Sequence, residues 1–521
     1  MSEVPEFNLV RDPWLPVTTL DGSNEEWGIR EFFHRAHEAR GLNEPSPLAY
    51  TVILRFLLAI AHRTIQGPAT DDAWYELWQQ REQGFDPMSF DAYLDRWQHR
   101  FSLFDPVAPF GQVTDFAVSD KRHPAGRLLP EVASISNTTL FDHNRDDLGV
   151  ALTPGAAARS LLVAHQYGFA GTGGTGGNFS NSPMIAGYAV SFEGETLYET
   201  MVLNLVLYGI GTPPALGIDD DCPFWELDEI NVPNNDERAA KGLTDLYTFR
   251  SRRIRLLPNP DGLVSQVNYD RGLALDRVSE TLRDPFKRYL AQKKDGPRLP
   301  RNFFENRALW RDVDGIIEFA TVSGADNEPP LVVSNLQDRI QDDDLADLVP
   351  KVIATGLVNN QARISLWRMD RMAMPLTILS DEDRRYILKE AIRYAESAWG
   401  DALRPAARWF ANIGLAGDGG NADSGDIAAI LTRIAIEQRY WSRIDREFQQ
   451  FVTNLSALED STEALATWKD QLRRLCESCF RDASLTMYGD RWYQAQCTGS
   501  NYLYSQLKKI GLIEQREEIT V

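Results

Sequence analysis

Ile427-Ala428-Ala429-Ile430-Leu431-Thr432-Arg433-Ile434, followed by Trp441, Ile444, Phe448 and Phe451, places apolar side chains three and four residues apart. That spacing is the period of one helix face, so a helix of about 30 residues with a single buried stripe is expected here. Leu465, Trp468, Leu472, Leu475 and Cys479 repeat the pattern on a following helix. Only one proline, Pro405, occurs after Pro375, and Asp418-Gly419-Gly420-Asn421 interrupts the chain ahead of the first stripe. Ser380 with Asp383, and Asp460 with Glu463, have the spacing of N-terminal caps. Four amphipathic helices joined by short connections predict an all-α four-helix bundle over residues 376–521.

Upstream of this region the pattern is mixed. Short extended runs at 7–10 and 14–18 are punctuated by Pro13, Pro16 and Gly22, as strands and hairpins are. Helical stretches are expected near 28–39, 47–65 and 88–98, and turn-rich insertions near 211–223 and 323–330. The chain of 521 residues is too long for one core. The fold class is therefore α+β: a large mixed α/β N-terminal domain, residues 1–375, followed by the C-terminal bundle. Leu48 to Ala61 is the most apolar helical stretch, but it carries Arg55 and falls short of the ~20 residues of a membrane span. It reads as a buried helix, and no membrane association is expected. The acidic start Met1-Ser2-Glu3-Val4-Pro5-Glu6 lacks a secretory core, and four cysteines are too few for a disulfide framework. A cytoplasmic location follows.

The formal net charge of −21 argues against a simple nucleic-acid binder, since phosphate contacts need Lys and Arg. Its distribution matters more than its sum. Residues 249–301 hold 13 Lys and Arg against 6 Asp and Glu, a local +7 that leaves −28 on the remainder. Such segregation suits one basic surface on an acidic body, or a set of solvated faces.

Catalytic chemistry finds little support. All seven histidines lie at or before His165, and no metal-ligand or nucleophile motif accompanies them. Cys476-Glu477-Ser478-Cys479 lies inside a predicted helix and reads as small core residues. Gly171, Gly173 and Gly176 satisfy G-x-G-x-x-G, yet Asn178-Phe179-Ser180-Asn181-Ser182-Pro183 follows where a dinucleotide fold needs a helix. What remains is a backbone run almost free of side chains, able to approach another molecule closely. Val358-Asn359-Asn360-Gln361-Ala362-Arg363 is an amide triplet between apolar stretches, followed by Arg368 and Arg371. Amides offer donors and acceptors that suit base edges or a wedge in a duplex, or simply a polar turn. Asn137-Thr138-Thr139-Leu140-Phe141-Asp142-His143-Asn144 is a polar loop whose ring can stack on a base or pack on the core.

The order and spacing of these segments resembles the CasA family, the large subunit of the type I-E CRISPR surveillance complex called Cascade. The resemblance begins at Phe7-Asn8-Leu9-Val10-Arg11-Asp12-Pro13-Trp14-Leu15-Pro16-Val17. It runs through the glycine segment, Met201-Val202-Leu203-Asn204-Leu205, the amide triplet and the C-terminal helices. It implies a subunit without catalysis, cofactor or metal that recognises the protospacer-adjacent motif in double-stranded target DNA, promotes strand separation and R-loop formation, and helps recruit the helicase-nuclease. Its partners would be the other Cascade subunits with their guide RNA. Gly173, Gly174, Gly176 and Gly177 match the family's glycine loop in the minor groove, and Gln361 with its neighbour Asn360 matches the strand-separating wedge. Arg271 and Arg277 are candidates for a basic finger, though no Lys aligns there. The 137–144 loop, with Phe141 at its tip and Asn137 at its start, corresponds to the tether on the guide's 5′ end. The minor groove's degenerate code would make motif reading promiscuous. A wedge costs a few kcal/mol of unstacking, which guide pairing offsets. The alternatives are a scaffold acting only through protein contacts and a stand-alone nucleotide-dependent enzyme.

Overall fold

The computed structural model describes residues 5–129, 149–168, 182–208, 220–234, 236–276, 283–291, 298–304, 307–317, 327–340, 345, 348–360, 363–458 and 461–513. It mixes helices with short, mostly antiparallel sheets, as an α+β chain should. The chain divides into two compact units. The first comprises Met1–Leu309, Glu318–Arg339 and Pro350–Arg371; the second comprises Trp310–Ile317, Ile340–Val349 and Met372–Val521.

The first unit is built around helix α1, Pro47–Ile65. Pro47 starts it without losing a bond, because the first-turn N–H has no intrahelical partner. Every side chain from Leu48 to His62 is buried, so the helix is apolar all round because it is core all round. It is long and apolar enough to cross a membrane, but 83% of that span is buried inside the protein. Phe56 meets the rings of Trp14, Phe101, Phe110 and Trp225. Arg55, fully enclosed, is tolerated because Nη1 lies 2.7 Å from Asp284 Oδ1 and its guanidinium stacks 4.6 Å from the Tyr247 ring.

Strands β1 (Leu15–Thr19), β2 (Asn24–Trp27) and β3 (Ala39–Leu42) form one antiparallel sheet in the order β2-β1-β3. The strand expected at 7–10 shrinks to one antiparallel bridge, Asn8 with Ser102, followed at once by a turn. Asn8 Oδ1 accepts from Val10 N at 3.1 Å, and Asp12 Oδ2 accepts from Asn8 N at 2.5 Å, local bonds that keep the ladder from extending. The helix expected over 28–39 ends at Arg35, followed by one 3₁₀ turn and strand β3.

Three further groups of elements position the site. Helix α2 is Pro154–Tyr167. Strands β4 (Arg122–Pro124), β6 (Arg252–Pro258) and β7 (Val264–Arg271) form a sheet in the order β4-β7-β6. Strands β5 (Tyr188–Glu193), β8 (Lys351–Asn360) and β9 (Arg363–Ala373) form another in the order β9-β8-β5.

In the second unit, α3 (Glu382–Ser397) continues through a π-helical turn, Ala398–Leu403, into α4 (Arg404–Ala416). Pro405 lies in this run; it has no N–H, and its ring would press on the carbonyl four residues earlier, so the widened turn beside it keeps the run continuous. The cap is Asp381, not Ser380: its carboxylate accepts from Asp383 N at 2.9 Å and Arg384 N at 3.2 Å, while Ser380 ends the preceding Leu376–Ser380 turn. The helix expected across 427–451 is two helices, α5 (Ser424–Ile434) and α6 (Ile436–Ala457), broken at Ala435 with φ +49°. Helices α7 (Ser461–Ser484) and α8 (Asp490–Lys509) complete the unit. Cys476 and Cys479 are buried on α7, as core residues. Trp310 stacks 4.3 Å from Phe448, and the Arg311 guanidinium sits 3.5 Å over Trp441 while pairing with Glu396 at 2.7 Å.

Candidate nucleic-acid interface

Gly173, Gly174, Gly176, Gly177, Gln361, Arg277, Asn137 and Phe141 lie outside the described residues, as does the side chain of Asn360. The described residues fix where the segments carrying them depart and return.

Helix α2 ends at Gly168 with φ +52°, and the described chain resumes at Ser182. The two ends meet. A Cβ on Gly168 would lie 1.8 Å from Ser182 Oγ and 2.7 Å from Arg252 Nη2, so the left-handed backbone and the close approach both demand glycine. Ser182 Oγ donates to Ser251 Oγ at 2.9 Å, and Ser251 Oγ donates to the His165 carbonyl. Arg252 spans the junction: Nη2 donates to the Gly168 carbonyl and Nη1 to the Ser251 carbonyl at 2.7 Å. Buried Lys287 holds the returning strand through the carbonyls of Pro183 (2.5 Å) and Ala186 (2.7 Å). His165 lies 2.7 Å from the Gly111 carbonyl through Nε2. Its burial, with Arg250 and Arg252 nearby, pushes its pKa down to about 3, so the ring is neutral and Nε2 carries the proton.

Arg271, the described member of the candidate basic pair, stands directly opposite Arg252 in the β6–β7 register. The fold thus brings the root of the glycine segment and Arg271 to one strand pair. The same sheet anchors the segment carrying Asn137 and Phe141. That segment departs after Leu129, beyond β4 and the 3₁₀ turn Ala125–Leu128. It returns at Leu152, which exchanges two 2.8 Å backbone bonds with Val264 of β7.

Arg271 itself is only part-exposed, with Nε and Nη2 enclosed, and other cations of the 249–301 segment also serve the fold. Arg250 is buried and donates to the carbonyls of Glu229 and Ile230, with burial lowering its pKa to about 10. Arg253 pairs with Asp115 at 2.7 Å, and Arg283 and Arg298 share Glu328 at 3.0 and 2.8 Å. The local positive charge is in large part internal bracing.

The amide triplet sits at the end of the β8–β9 hairpin. Strand β8 runs antiparallel to β5 from Lys351 opposite Glu193 to Gly356 opposite Tyr188. From Gly356 to Asn360 it continues four residues, about 13 Å, past the start of β5. It therefore projects beyond the end of the sheet at which Ser182–Gly187 enters β5. Arg368 forks onto Asp370 at 2.6 and 2.7 Å and donates to the Arg307 carbonyl at 2.8 Å, so it braces the hairpin. At the opposite end Glu193 lies between Lys351 (2.9 Å) and half-exposed Arg371 (3.4 Å). On the outer edge of β5, Tyr188 N and Val190 N donate to the Arg301 and Phe286 carbonyls, and the Asn204 amide completes it by accepting from Phe192 N (2.9 Å) and donating to Phe192 O (2.7 Å).

Sequence reading missed Ser182, Ser251, Arg252 and Asn204. Their only signal was inclusion in the basic or quoted segments, because their partners lie up to 86 residues away. No group of three His, Cys, Asp or Glu able to hold a metal occurs among the described residues.

The model of the family described as CRISPR-associated protein Cse1 matches residues 8–479. A CRISPR-associated protein CasA/Cse1 from Thermus thermophilus is 31% identical over 492 residues, covering 91% of each chain. The crystal structure of Cse1 from Acidimicrobium ferrooxidans superposes with a TM-score of 0.80 at 25% identity, over 98% of this chain and 99% of that one. A chain from a CRISPR RNA-guided surveillance complex shares the fold with a TM-score of 0.73 at 20% identity, over 96% of this chain and 100% of that one.

Proposed function

This chain belongs to the CRISPR-associated protein Cse1 family, and from that premise we propose that it is the non-catalytic large subunit of a guide-RNA surveillance complex. It works in the cytoplasm with the other complex subunits and their guide RNA. It recognises the protospacer-adjacent motif in double-stranded target DNA, starts strand separation, supports R-loop formation and helps recruit the helicase-nuclease. The glycine loop with Gly173, Gly174, Gly176 and Gly177 presses backbone into the minor groove, where a Cβ would obstruct approach. Asn360 and Gln361 wedge beside the motif, Arg271 and Arg277 supply cations, and Asn137 with Phe141 tethers the guide. Residues 1–375 carry recognition. Residues 376–521 form a four-helix bundle, a reading supported by four helical runs: α3 with α4, α5 with α6, α7, and α8.

The observation that carries this reading is that the β4-β7-β6 sheet holds the roots of two of these segments together with Arg271. A sheet that roots both segments would hold the groove-reading loop and the guide tether on one support. The test is fluorescence-detected binding of duplexes differing only in the motif to reconstituted guide complex. Motif-dependent binding by the wild type, reduced at least tenfold by Asn360→Ala/Gln361→Ala, is expected. Indifference to both motif and substitution would put the scaffold reading ahead.

A further inference from the structure

We propose that a pocket of the first unit, lined by Trp367 of β9 and Arg159 of α2, receives one unstacked nucleobase. This rests on the function proposed above and adds a site at which a single base, of guide or of target, is held outside any duplex.

The pocket holds about 300 Å³, at the lower end of the range of small-ligand sites. It opens among the first turn of α1, helix α2 and strand β9, and Ala49, Ala156, Val163 and Trp367 supply its apolar lining. Arg159 is the cation at its wall, with a side chain only 19% exposed. Its Nη1 donates to the Trp14 carbonyl at 2.5 Å, and its Nε lies 3.2 Å from Glu44 Oε2. Among the described residues Nη2 has no partner, and it is not an enclosed atom, so a largely buried guanidinium keeps one donor for whatever enters. The charge of Arg159 is already matched by Glu44, whose Oε1 accepts from Ser46 N at 3.1 Å. A phosphate would bring a second anion against that carboxylate, and an aliphatic side chain would cover Nη2 without satisfying it. A nucleobase meets both conditions. Its face stacks on an indole whatever the sequence, and a carbonyl or ring nitrogen on its edge accepts from Nη2. Ser160 Oγ, which donates to the Ala156 carbonyl at 2.8 Å, keeps lone pairs for an amino group. The placement suits such a ligand: Trp367 stands on the return strand of the β8–β9 hairpin, and Leu129, where the described chain departs toward Asn137 and Phe141, lines the same pocket.

The experiment uses the full chain in reconstituted guide complex and two sets of photoreactive probes. One set is guide RNAs carrying a single 4-thiouridine, the other target duplexes carrying a single 4-thiothymidine, each moved one position at a time. After irradiation and digestion, mass spectrometry reads the attachment site. One position should attach to Trp367 or to the Ala156–Val163 peptide at about five times the yield of the other positions or more, and the set that contains it identifies the source of the base. Ala156→Phe fills the pocket from a half-buried helix position and should cut that yield about tenfold while assembly stays within about twofold. Trp367→Ala should cut it about fivefold, whereas Trp367→Phe, which keeps a stacking face, should hold it within about twofold. If Ala156→Phe does not assemble, the smaller Ala156→Leu takes its place. No attachment to the pocket at any position of assembled wild-type complex overturns the proposal, and so does a yield that the filling variant leaves unchanged. Loss of subunit assembly in the filling variants without any wild-type attachment also overturns it, in favour of a seat for a protein side chain. Motif-dependent duplex binding is scored on the same wild-type complex. Its absence overturns the function proposed above, while missing attachment beside intact motif dependence overturns the pocket alone.

Discussion

Gly168 shows how much a single residue can hide. Its φ of +52° costs an alanine about 1–2 kcal/mol, and the 1.8 Å approach of Ser182 Oγ to a Cβ adds a clash. Gly168→Ala should lower the melting temperature by several degrees and, in guide complex, weaken motif-dependent binding. A differential scan beside the duplex assay checks both, and unchanged values in both would show that Ser182 and Arg252 make room for the methyl at no cost. Sequence reading went to the glycine run at 171–177, visible as composition, and passed over Gly168, whose need for glycine arises from Ser182 and Arg252. Arg271 was singled out as a candidate because charge is legible. Its juxtaposition with Arg252 was not, since strand register is set by partners and not by either residue alone.

At the scale of elements, apolar periodicity placed α1, α6 and α7, and the glycines after Asp418 marked a true break. It did not reveal the break at Ala435, because Ile434 and Trp441, seven residues apart, keep the apolar period running across it. A left-handed alanine is invisible to propensity. Ala435→Gly should therefore stabilise the protein by about 0.5–1 kcal/mol: relief of the αL penalty exceeds the extra chain entropy of glycine. Chemical denaturation would measure it, and a destabilised variant would mean that the alanine methyl packs well enough to outweigh its strain. The capping error has a simple cause. Ser380 and Asp381 are both competent caps, and the preceding Leu376–Ser380 turn had already claimed the serine.

For the molecule as a whole, two fully buried histidines, with part-buried His123 also lowered to about 4 chiefly by burial, weaken the fold in acid. Burial lowers the pKa of His62 to about 4 and of His165 to about 3, against 6.5 when exposed. Between pH 6.5 and about 4 the unfolded chain binds protons that the folded one refuses. Stability is thus full above 6.5 and is lost as pH falls, by up to roughly 1.4 kcal/mol per pH unit for each histidine. Melting temperatures at pH 7, 6 and 5 should fall in that order, and a flat profile would contradict two neutral, buried rings.

The division into units has a consequence for heredity. The chain passes between them five times, after Leu309, Ile317, Arg339, Val349 and Arg371. Trp310 and Arg311, synthesised long before α6, complete the packing of Phe448 and Trp441. A gene exchange at a single crossover near residue 376 would import helices selected against another Trp310 and Arg311. The helical part can be inherited intact only with its two upstream inserts, so substitutions at these positions and at their seats should be passed on together.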